Sequence, residues 1–341
     1  MNSIDIRNPL HTKLTIIITT SPIKSNPSTE LIDQTIESFA LVDGLDDCDK
    51  IIICDGFIVS SNMKNHYKSG IINDQLVHNY IEFKQQIIHK AVSNTYKYTQ
   101  IIQVEKRNGF ADNVKIALES VTTPYVMVVQ HDQVFVRNVD IAGAIESMTT
   151  HSTINYIGML SCSDIDEVSH KLIQQEYNVF YEDIQVEINS DMKHEYYKYR
   201  QIINATNSHM FIDHKFVFDL DKSSNKQLVT NIIQSYTKIK YGVPLMYLTF
   251  WYDKTHICRT DFYRKNIFDT IHIDYSTGNS QRVKNFIEDS VGKIFQSNIK
   301  RHGLAAFKNH SMYILHDDST VAIRHSNGRA YLTTCDKVKL I

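Results

Sequence analysis

The sequence predicts an α/β protein built on a mostly parallel sheet, and three observations support this prediction. Apolar, β-forming runs alternate with helical segments over residues 14–130, which is typical of βαβ units. The runs are continuously apolar, as in strands that are buried on both faces. The chain has 341 residues, of which 42% are hydrophobic, so it can bury a large core.

The elements of the first half follow one another at short intervals. Strands are predicted at 14–20, 50–56, 100–106 and 125–130, with helices at about 28–39, 74–92 and 111–121. The second half is less regular. Its pattern predicts a helix near 140–150, a strand at 154–160, a mixed stretch at 208–220, an apolar strand at 245–253, a helix from about 283 to 302 and a hairpin over 312–325. We therefore expect two halves of one domain, 1–137 and 138–341.

The overall composition excludes several classes of function. The 36 basic and 38 acidic residues give a formal charge of −2, which is not the charge of a nucleic-acid-binding protein. The five cysteines lack CxxC spacing, so neither a zinc site nor a disulfide framework is predicted. The sequence has no transmembrane run and no signal-peptide pattern, and we expect a cytoplasmic protein that binds its ligands in a pocket.

Polar clusters follow three of the predicted strands. They are the run TTSPIKSNPS after the first strand, Asp55-Gly56 after the second and QHDQ (130–133) after the fourth. Ligands of open parallel sheets bind beyond the carboxyl ends of the strands. Each cluster also has a purely structural interpretation, since Asp-Gly is a common turn and Ser28 is a suitable helix N-cap.

One segment gives the clusters a common explanation. The run RNGFADNVKIALESVTTPYVMVVQHDQVF (107–135) resembles the part of inverting, family 2 type GT-A glycosyltransferases in which an asparagine-rich turn opens a helix and the next strand ends in a DxD motif. Asn108 and Asn113 fall near the two asparagine positions. The triplet at 131–133 occupies the DxD site, but Asp132 is its only carboxylate.

A second segment continues the resemblance. In that family a Glu-Asp pair lies at the start of a helix and a glycine follows about 14 residues later. An exposed strand comes next, and a histidine lies at the end of the segment. In the run NFIEDSVGKIFQSNIKRHGLAAFKNHSMYILHDDSTVAIRHSNGR (285–329), Glu288-Asp289, Gly303 and His325 fall at these positions. The order of the motifs is more specific than any one of them.

The resemblance implies a GT-A, Rossmann-like fold and a glycosyltransferase of the hexosyltransferase type. Such an enzyme transfers a sugar from a nucleotide-sugar donor, here expected to be a UDP-sugar, to a hydroxyl of a glycan, protein or small-molecule acceptor, with inversion. By this resemblance residues 1–137 bind the nucleotide-sugar, and residues 138–341 bind the acceptor and supply the catalytic base. The oligomeric state does not follow from the sequence.

The resemblance also implies roles for individual residues. Asp132 and His325 are the expected ligands of Mn²⁺ or Mg²⁺, because a carboxylate and an imidazole suit these ions and a divalent ion can neutralise a diphosphate leaving group. Asp289 is the expected general base, with Glu288 beside it as an orienting group. The residues expected to contact the nucleotide-sugar are Thr20, Ser21, Asp55, Asn108, Asn113, His131 and Arg329.

Other interpretations of these residues stay open. Acidic residues such as Glu288 and Asp289 also suit the first turn of a helix without any catalytic role. A retaining glycosyltransferase or a nucleotidyltransferase would share the nucleotide site, and a non-catalytic carbohydrate-binding protein could keep the fold. Trp251 fits an aromatic platform for a sugar or a place in the core equally well. Asp317 is expected in a hairpin turn.

Overall fold

The three-dimensional structure is a computed structural model. It describes residues 7–60, 65–161, 178–195, 197–200, 211–212, 215–216, 226–275, 277–283, 285–317, 320–328, 330–331 and 333–334. Arg329, which the sequence places at the nucleotide site, lies outside the described residues, as does most of the mixed stretch at 208–220.

The strands and helices are as follows. The strands are β1 (Leu14–Thr20), β2 (Asp49–Cys54), β3 (Ile58–Val59), β4 (Ile71–Ile72), β5 (Thr99–Gln103), β6 (Tyr125–Gln130), β7 (Gln133–Phe135), β8 (Tyr156–Met159), β9 (Phe211–Ile212), β10 (Lys215–Phe216), β11 (Leu245–Tyr247), β12 (His256–Arg259), β13 (His272–Ile273), β14 (Ser280–Gln281), β15 (Met312–Leu315) and β16 (Ile323–His325). The α-helices are α1 (Glu30–Glu37), α2 (Asp74–Val92), α3 (Phe110–Leu118), α4 (Ile141–Thr150), α5 (Asn178–His194), α6 (Lys226–Tyr241), α7 (Thr260–Phe262) and α8 (Lys293–Lys308). Two π-helical segments, Tyr263–Phe268 and Glu288–Gly292, follow α7 and precede α8.

Eight of the strands form one central sheet in the order β11-β15-β8-β12-β6-β1-β2-β5. Strands β5, β2, β1 and β6 are mutually parallel neighbours, and β12 runs antiparallel to both β6 and β8. The predicted fold class, an α/β protein with a mostly parallel sheet flanked by helices, is confirmed. After β1 the chain adds β2 and β5 on one side of β1, and then adds β6 on the other side. The point between β1 and β6 is therefore a topological switch point, and ligands bind at such points in open parallel sheets.

The core explains why the first half was predictable. Every residue of β1 is buried, and its run of isoleucines fits a strand that is covered on both faces. Helix α2 begins where Asn73 accepts a hydrogen bond from the main-chain N of Leu76 at 3.0 Å. Its buried residues are Leu76, Tyr80, Phe83 and Ile87, spaced as one face of a helix.

The structure corrects three expectations for the second half. The predicted hairpin over 312–325 is wrong: β15 lies between β8 and β11, while β16 pairs with β7. Asp317 forms an ion pair with Arg137, with 2.8 Å between Oδ1 and Nη2, and is not in a hairpin turn. The predicted strand at 245–253 ends at Tyr247, and Trp251 is fully buried in the core. A fully buried ring cannot serve as an exposed sugar platform.

The predicted helix at 283–302 also differs in detail. It begins as the π-helical segment Glu288–Gly292 and continues as α8 to Lys308, with a kink at Gly303, whose φ is 56°. No helix among the described residues is long and apolar enough to cross a membrane.

Candidate active site

A pocket of about 450 Å³ lies at the carboxyl ends of β1, β2 and β6. This volume is within the range of small-molecule sites. Nine of the residues singled out from the sequence line it: Thr20, Ser21, Asp55, Asn113, His131, Asp132, Glu288, Asp289 and His325. The side chain of Asn108 is not part of the lining. The structure thus brings the predicted donor residues and the predicted base into one cavity.

The parallel register explains why the strand ends meet. Thr20 of β1 lies opposite Cys54 of β2, and Thr19 lies opposite Gln130 of β6. The pairing continues one residue further on both sides: the N–H of Asp55 donates to Thr20 O at 2.8 Å, and the N–H of His131 donates to Thr19 O at 3.0 Å. The residues that follow the three strands are therefore neighbours in space.

Asp55 joins the end of β2 to the start of α3. Its two carboxylate oxygens accept hydrogen bonds from the main-chain N–H groups of Asn108, at 2.9 Å, and Gly109, at 3.1 Å. Gly109 has a φ of 89°, which favours glycine at this N-cap position. Asp55 is thus first a structural residue, and its remaining lone pairs face the pocket. Asn108 takes part through its main chain only.

Asn113 is the most enclosed of the predicted nucleotide contacts. It lies on α3, it is 2% exposed, and it lines the pocket. Its Oδ1 has no hydrogen-bond partner among the described residues. Leaving a buried amide oxygen without a partner destabilises a fold. A ligand that donates to Oδ1 explains the burial of Asn113 better than a helix-capping role does.

Asp132 is held from one side only. Its Oδ2 accepts hydrogen bonds from the main-chain N–H of Gly328, at 2.8 Å, and from Nε2 of His325, at 3.0 Å. The pairing of β7 with β16 brings both donors to the pocket, and the main-chain N of Ser326 donates to Asp132 O at 2.8 Å. The other carboxylate oxygen, Oδ1, is buried and has no hydrogen-bond partner among the described residues.

The surroundings of Asp132 keep it ionised. Burial alone opposes ionisation, but the hydrogen bond from His325, the adjacent His131 and the N–H of Gly328 outweigh it, so the pKa of Asp132 lies below its ordinary value. Burial, which outweighs the negative charge of Asp132, lowers the pKa of His131 below its ordinary value. The pocket contains a fixed negative charge at the end of β6.

The third residue of the triplet has a structural role. Gln133 is 4% exposed, and its Oε1 accepts a hydrogen bond from Oγ1 of Thr255 at 2.6 Å. This bond ties the start of β7 to the loop before β12, on the second half of the chain. The residue at the second acidic position of the DxD pattern lines the pocket but is bonded to Thr255, and Asp132 is the only carboxylate of the triplet.

The donor set at Asp132 fits a divalent cation that is shared with a ligand. No group of three or more His, Cys, Asp or Glu side chains in the described part of the chain could hold a metal ion by itself. Mg²⁺ is commonly bound by one or two carboxylates together with substrate phosphates and water. The buried, unpartnered Oδ1 of Asp132, with His325 beside it, matches this incomplete kind of site.

Glu288 and Asp289 lie on the wall that the second half contributes. They occupy the start of the π-helical segment, a geometry that is frequent at functional sites. Oε2 of Glu288 accepts a hydrogen bond from the main-chain N of Asp253 at 3.2 Å. Asp289 is exposed in the pocket. The two carboxylates thus differ in their surroundings, with Glu288 held in place and Asp289 open to a ligand.

Four further residues line the pocket, and of these the sequence did not identify Lys68 and Lys254. Arg107 lines the pocket and donates from Nη2 to Lys68 O at 3.1 Å, beside the ribbon formed by β3 and β4. Lys68 and Lys254 also line the pocket. Asp253 lines it from the loop after β11. Nothing in the local sequence separates these lysines from surface residues, since they reach the pocket only through tertiary contacts.

No protein-family model and no curated protein matches this chain. Among solved structures, it is similar to S. aureus TarS, with 11% identity and a TM-score of 0.40 over 92% of this chain and 36% of that chain. It is also similar to S. aureus TarS 1-349 in complex with UDP-GlcNAc, with 12% identity and a TM-score of 0.39 over 94% of this chain and 62% of that chain. For the mannosyltransferase PcManGT from Pyrobaculum calidifontis in complex with GDP-Man and Mn²⁺, the identity is 12% and the TM-score 0.30, over 49% of this chain and 40% of that chain. These likenesses are distant, and the chain spans between 36% and 62% of the length of these structures.

Proposed function

We propose that the protein is a GT-A type glycosyltransferase that transfers a sugar from a nucleotide-sugar, with UDP-sugars as the first candidates, to an acceptor hydroxyl with inversion. The observation that carries this proposal is the convergence of residues from both halves of the chain on one pocket. It combines polar strand ends at a topological switch point, an ionised aspartate with an unpartnered oxygen and an exposed carboxylate on the facing half of the chain.

The nucleoside is assigned to the side of the pocket formed by β1, β2 and α3. Thr20, Ser21, Asp55 and Asn113 present hydrogen-bonding groups there. The lone pairs that Asp55 does not use for Asn108 and Gly109 can accept from a base or ribose. Arg107 contributes positive charge on the same side, where it suits the phosphates.

A divalent cation, Mn²⁺ or Mg²⁺, would be held by Oδ1 of Asp132, and His325 would join it as a ligand only on giving up the hydrogen bond from its Nε2 to Oδ2. When bound, it supplies positive charge that neutralises the diphosphate as the bond to the sugar breaks. The role of the chain's own residues is to orient the ligands. Gly328 and His325 fix one oxygen of Asp132 through hydrogen bonds, which leaves Oδ1 for the cation.

Asp289 is the proposed general base. Its carboxylate takes the proton of the acceptor hydroxyl as the hydroxyl oxygen forms a bond to the anomeric carbon, and the bond from that carbon to the diphosphate oxygen breaks with its electrons leaving on the nucleoside diphosphate. One carboxylate is sufficient for this displacement. Glu288, which is held by the main chain of Asp253, lies beside the base and orients the acceptor.

One observation favours a second candidate, a carbohydrate-binding protein without activity. The triplet at 131–133 has one carboxylate, since His131 and Gln133 flank Asp132 and Gln133 is bonded to Thr255. Such a protein would bind a nucleotide-sugar or a sugar in the same pocket and release no nucleoside diphosphate. A retaining transferase would release it but would not need Asp289.

The test compares donor binding with single-turnover transfer in matched variants. Purified protein with Mn²⁺ is screened against UDP-sugars, and the best donor is used for Asp289→Asn, Glu288→Gln and, as a control, Asp261→Asn on the exposed surface. We expect Asp289→Asn to keep donor affinity and to lose transfer by a factor on the order of 10² to 10⁴. Glu288→Gln should lose less, and Asp261→Asn nothing. Near-normal transfer by Asp289→Asn would refute the inverting mechanism.

A further inference from the structure

Asp253 connects the two sides of the pocket. It lies in the loop between β11 and β12 and is 3% exposed. Its main-chain O accepts a hydrogen bond from Nε2 of Gln130, the last residue of β6, at 2.7 Å. Its main-chain N donates to Oε2 of Glu288 at 3.2 Å. The residue is therefore bonded both to β6, which leads to Asp132, and to the segment that carries the proposed base.

The Asp253 side chain fixes the start of the π-helical segment. Oδ2 accepts hydrogen bonds from the main-chain N–H of Ile287, at 2.8 Å, and of Glu288, at 3.3 Å. The first N–H groups of a helical segment have no partner within the segment, and the carboxyl oxygen Oδ2 of Asp253 satisfies two of them. Oδ1 accepts from Nε1 of Trp251 at 3.1 Å. Asp253 thus acts as an N-cap from a distant part of the chain.

Burying the carboxyl group of Asp253 beside Glu288 is energetically unfavourable for the fold. Burial, and then the negative charge of Glu288, raise the pKa of Asp253 well above its ordinary value. Placing a carboxyl group in the interior beside another carboxylate destabilises a fold unless the geometry it sets is needed. The geometry that Asp253 sets is the location of residues 287–289 relative to the end of β6.

We propose that Asp253 is a positioning residue that holds Asp289 at the correct distance from the donor bound at the end of β6. This inference rests on the proposed function, because it assigns Asp253 a role in sugar transfer. It predicts a specific defect. Loss of the cap should leave donor binding intact and should displace the base, and a displacement of about 1 Å can reduce a reaction rate about 100-fold.

The primary variant is Asp253→Asn. The amide keeps the size of the side chain but has only one acceptor atom, so either the two main-chain N–H groups held by Oδ2 or the indole N–H held by Oδ1 faces an NH₂ group and loses its acceptor. Asp183→Asn is the matched control, since Oδ2 of Asp183 accepts a bond from the main-chain N of Leu304 at the kink of α8, outside the pocket. Donor affinity, the fraction of molecules that bind donor and the single-turnover rate per binding molecule are measured for each variant.

We expect Asp253→Asn to bind the donor within about twofold of wild type and to transfer about 100-fold more slowly per binding molecule. Asp183→Asn should unfold at a lower temperature and transfer normally. A double-mutant cycle gives the sharpest result: in the Asp289→Asn background, Asp253→Asn should reduce transfer no further, because its effect acts through Asp289. If the role of Asp253 is purely structural, the loss of transfer rate caused by Asp253→Asn should add to the loss caused by Asp289→Asn.

The outcomes separate this inference from the proposed function. If Asp289→Asn abolishes transfer but Asp253→Asn transfers normally, or if the two losses add, the inference is refuted and the proposed function stands. If wild-type protein turns over no nucleotide-sugar, both are refuted. Should Asp253→Asn fail to fold, Trp251→Phe removes the indole donor to Oδ1 together with part of a fully buried ring, so its rate is again measured per donor-binding molecule. That variant should still transfer several-fold more slowly with unchanged donor affinity, and a normal rate would overturn the inference.

Discussion

Gly328 lies against Asp132 with no room for a side chain, which makes Gly328→Ala a direct probe of the proposed cation site. A Cβ atom at Gly328 would be 2.9 Å from Nε2 of His131, 3.1 Å from Oδ2 of Asp132 and 3.1 Å from Cδ2 of Leu31. His131 and Asp132 are both buried just beyond the end of β6, where neighbouring groups restrict their movement. The loop that contains Gly328 must therefore shift outward.

The shift breaks the hydrogen bond from Gly328 N to Oδ2 of Asp132, now 2.8 Å long. A hydrogen bond to a charged group contributes about 1.5–3 kcal/mol. Since about 1.4 kcal/mol corresponds to a factor of ten, metal-dependent UDP affinity should fall on the order of 10- to 100-fold if this bond orients Asp132 for the cation. The free energy of unfolding should fall by a similar number of kcal/mol.

Calorimetric titration of UDP with and without Mn²⁺, together with denaturant unfolding, measures both effects. Gly242→Ala is a suitable control. Gly242, unlike Gly328, has a positive φ, of 83°; apart from its chain neighbours, no atom of the described residues lies within 4 Å of the added Cβ, and Gly242 does not line the pocket. That variant should be somewhat less stable and bind UDP normally. Wild-type UDP affinity in Gly328→Ala would show that the loop does not orient Asp132.

Two further predictions concern the nucleotide side and the core. Asp55→Ala should weaken UDP binding to a similar extent with and without metal. It should also destabilise the fold by about 2–4 kcal/mol, because two main-chain N–H groups lose their acceptor. The control is Asp140→Ala, which removes the N-cap of α4 and should reduce stability but not UDP affinity in the same titration. Burial, partly offset by a hydrogen bond to a main-chain carbonyl, lowers the pKa of His256 from 6.5 to about 4. Between these two pH values the unfolded chain binds a proton that the folded protein does not, so the free energy of unfolding should fall by up to about 3 kcal/mol as the pH falls through that window, with no contribution from His256 above pH 6.5. Denaturant unfolding across this range should give a smaller slope with pH for His256→Phe, and an equal slope would contradict the assignment.

The first half of the fold was predictable because its periodicities are strong. The strand predicted at 14–20 is β1 and the helix predicted at 74–92 is α2, with the same bounds. A continuous run of isoleucines favours a buried strand, and an Asn N-cap before an amphipathic run favours a helix, so each local pattern is compatible with one type of element. Local patterns also located the polar strand ends, since parallel register alone brings Asp55 and Asp132 together.

The second half was less predictable because tertiary contacts decide it. Strand β12 is a short antiparallel strand between β6 and β8, and its four residues carry no periodic signal. The apparent hairpin over 312–325 has the right alternation, but each strand pairs with a distant partner. The same limit applies at the pocket, where Asp253 and Lys68 are placed by contacts far along the chain.

The most direct test of the central claim is calorimetric titration of UDP into wild-type protein and Asp132→Asn, each with and without Mn²⁺. The substitution keeps the shape of the side chain and removes the charge at the end of β6. The proposal predicts that Mn²⁺ tightens UDP binding to wild type and has no effect on UDP binding to Asp132→Asn, which remains folded. An equal enhancement by Mn²⁺ in both proteins, or no UDP binding by wild type, would contradict it.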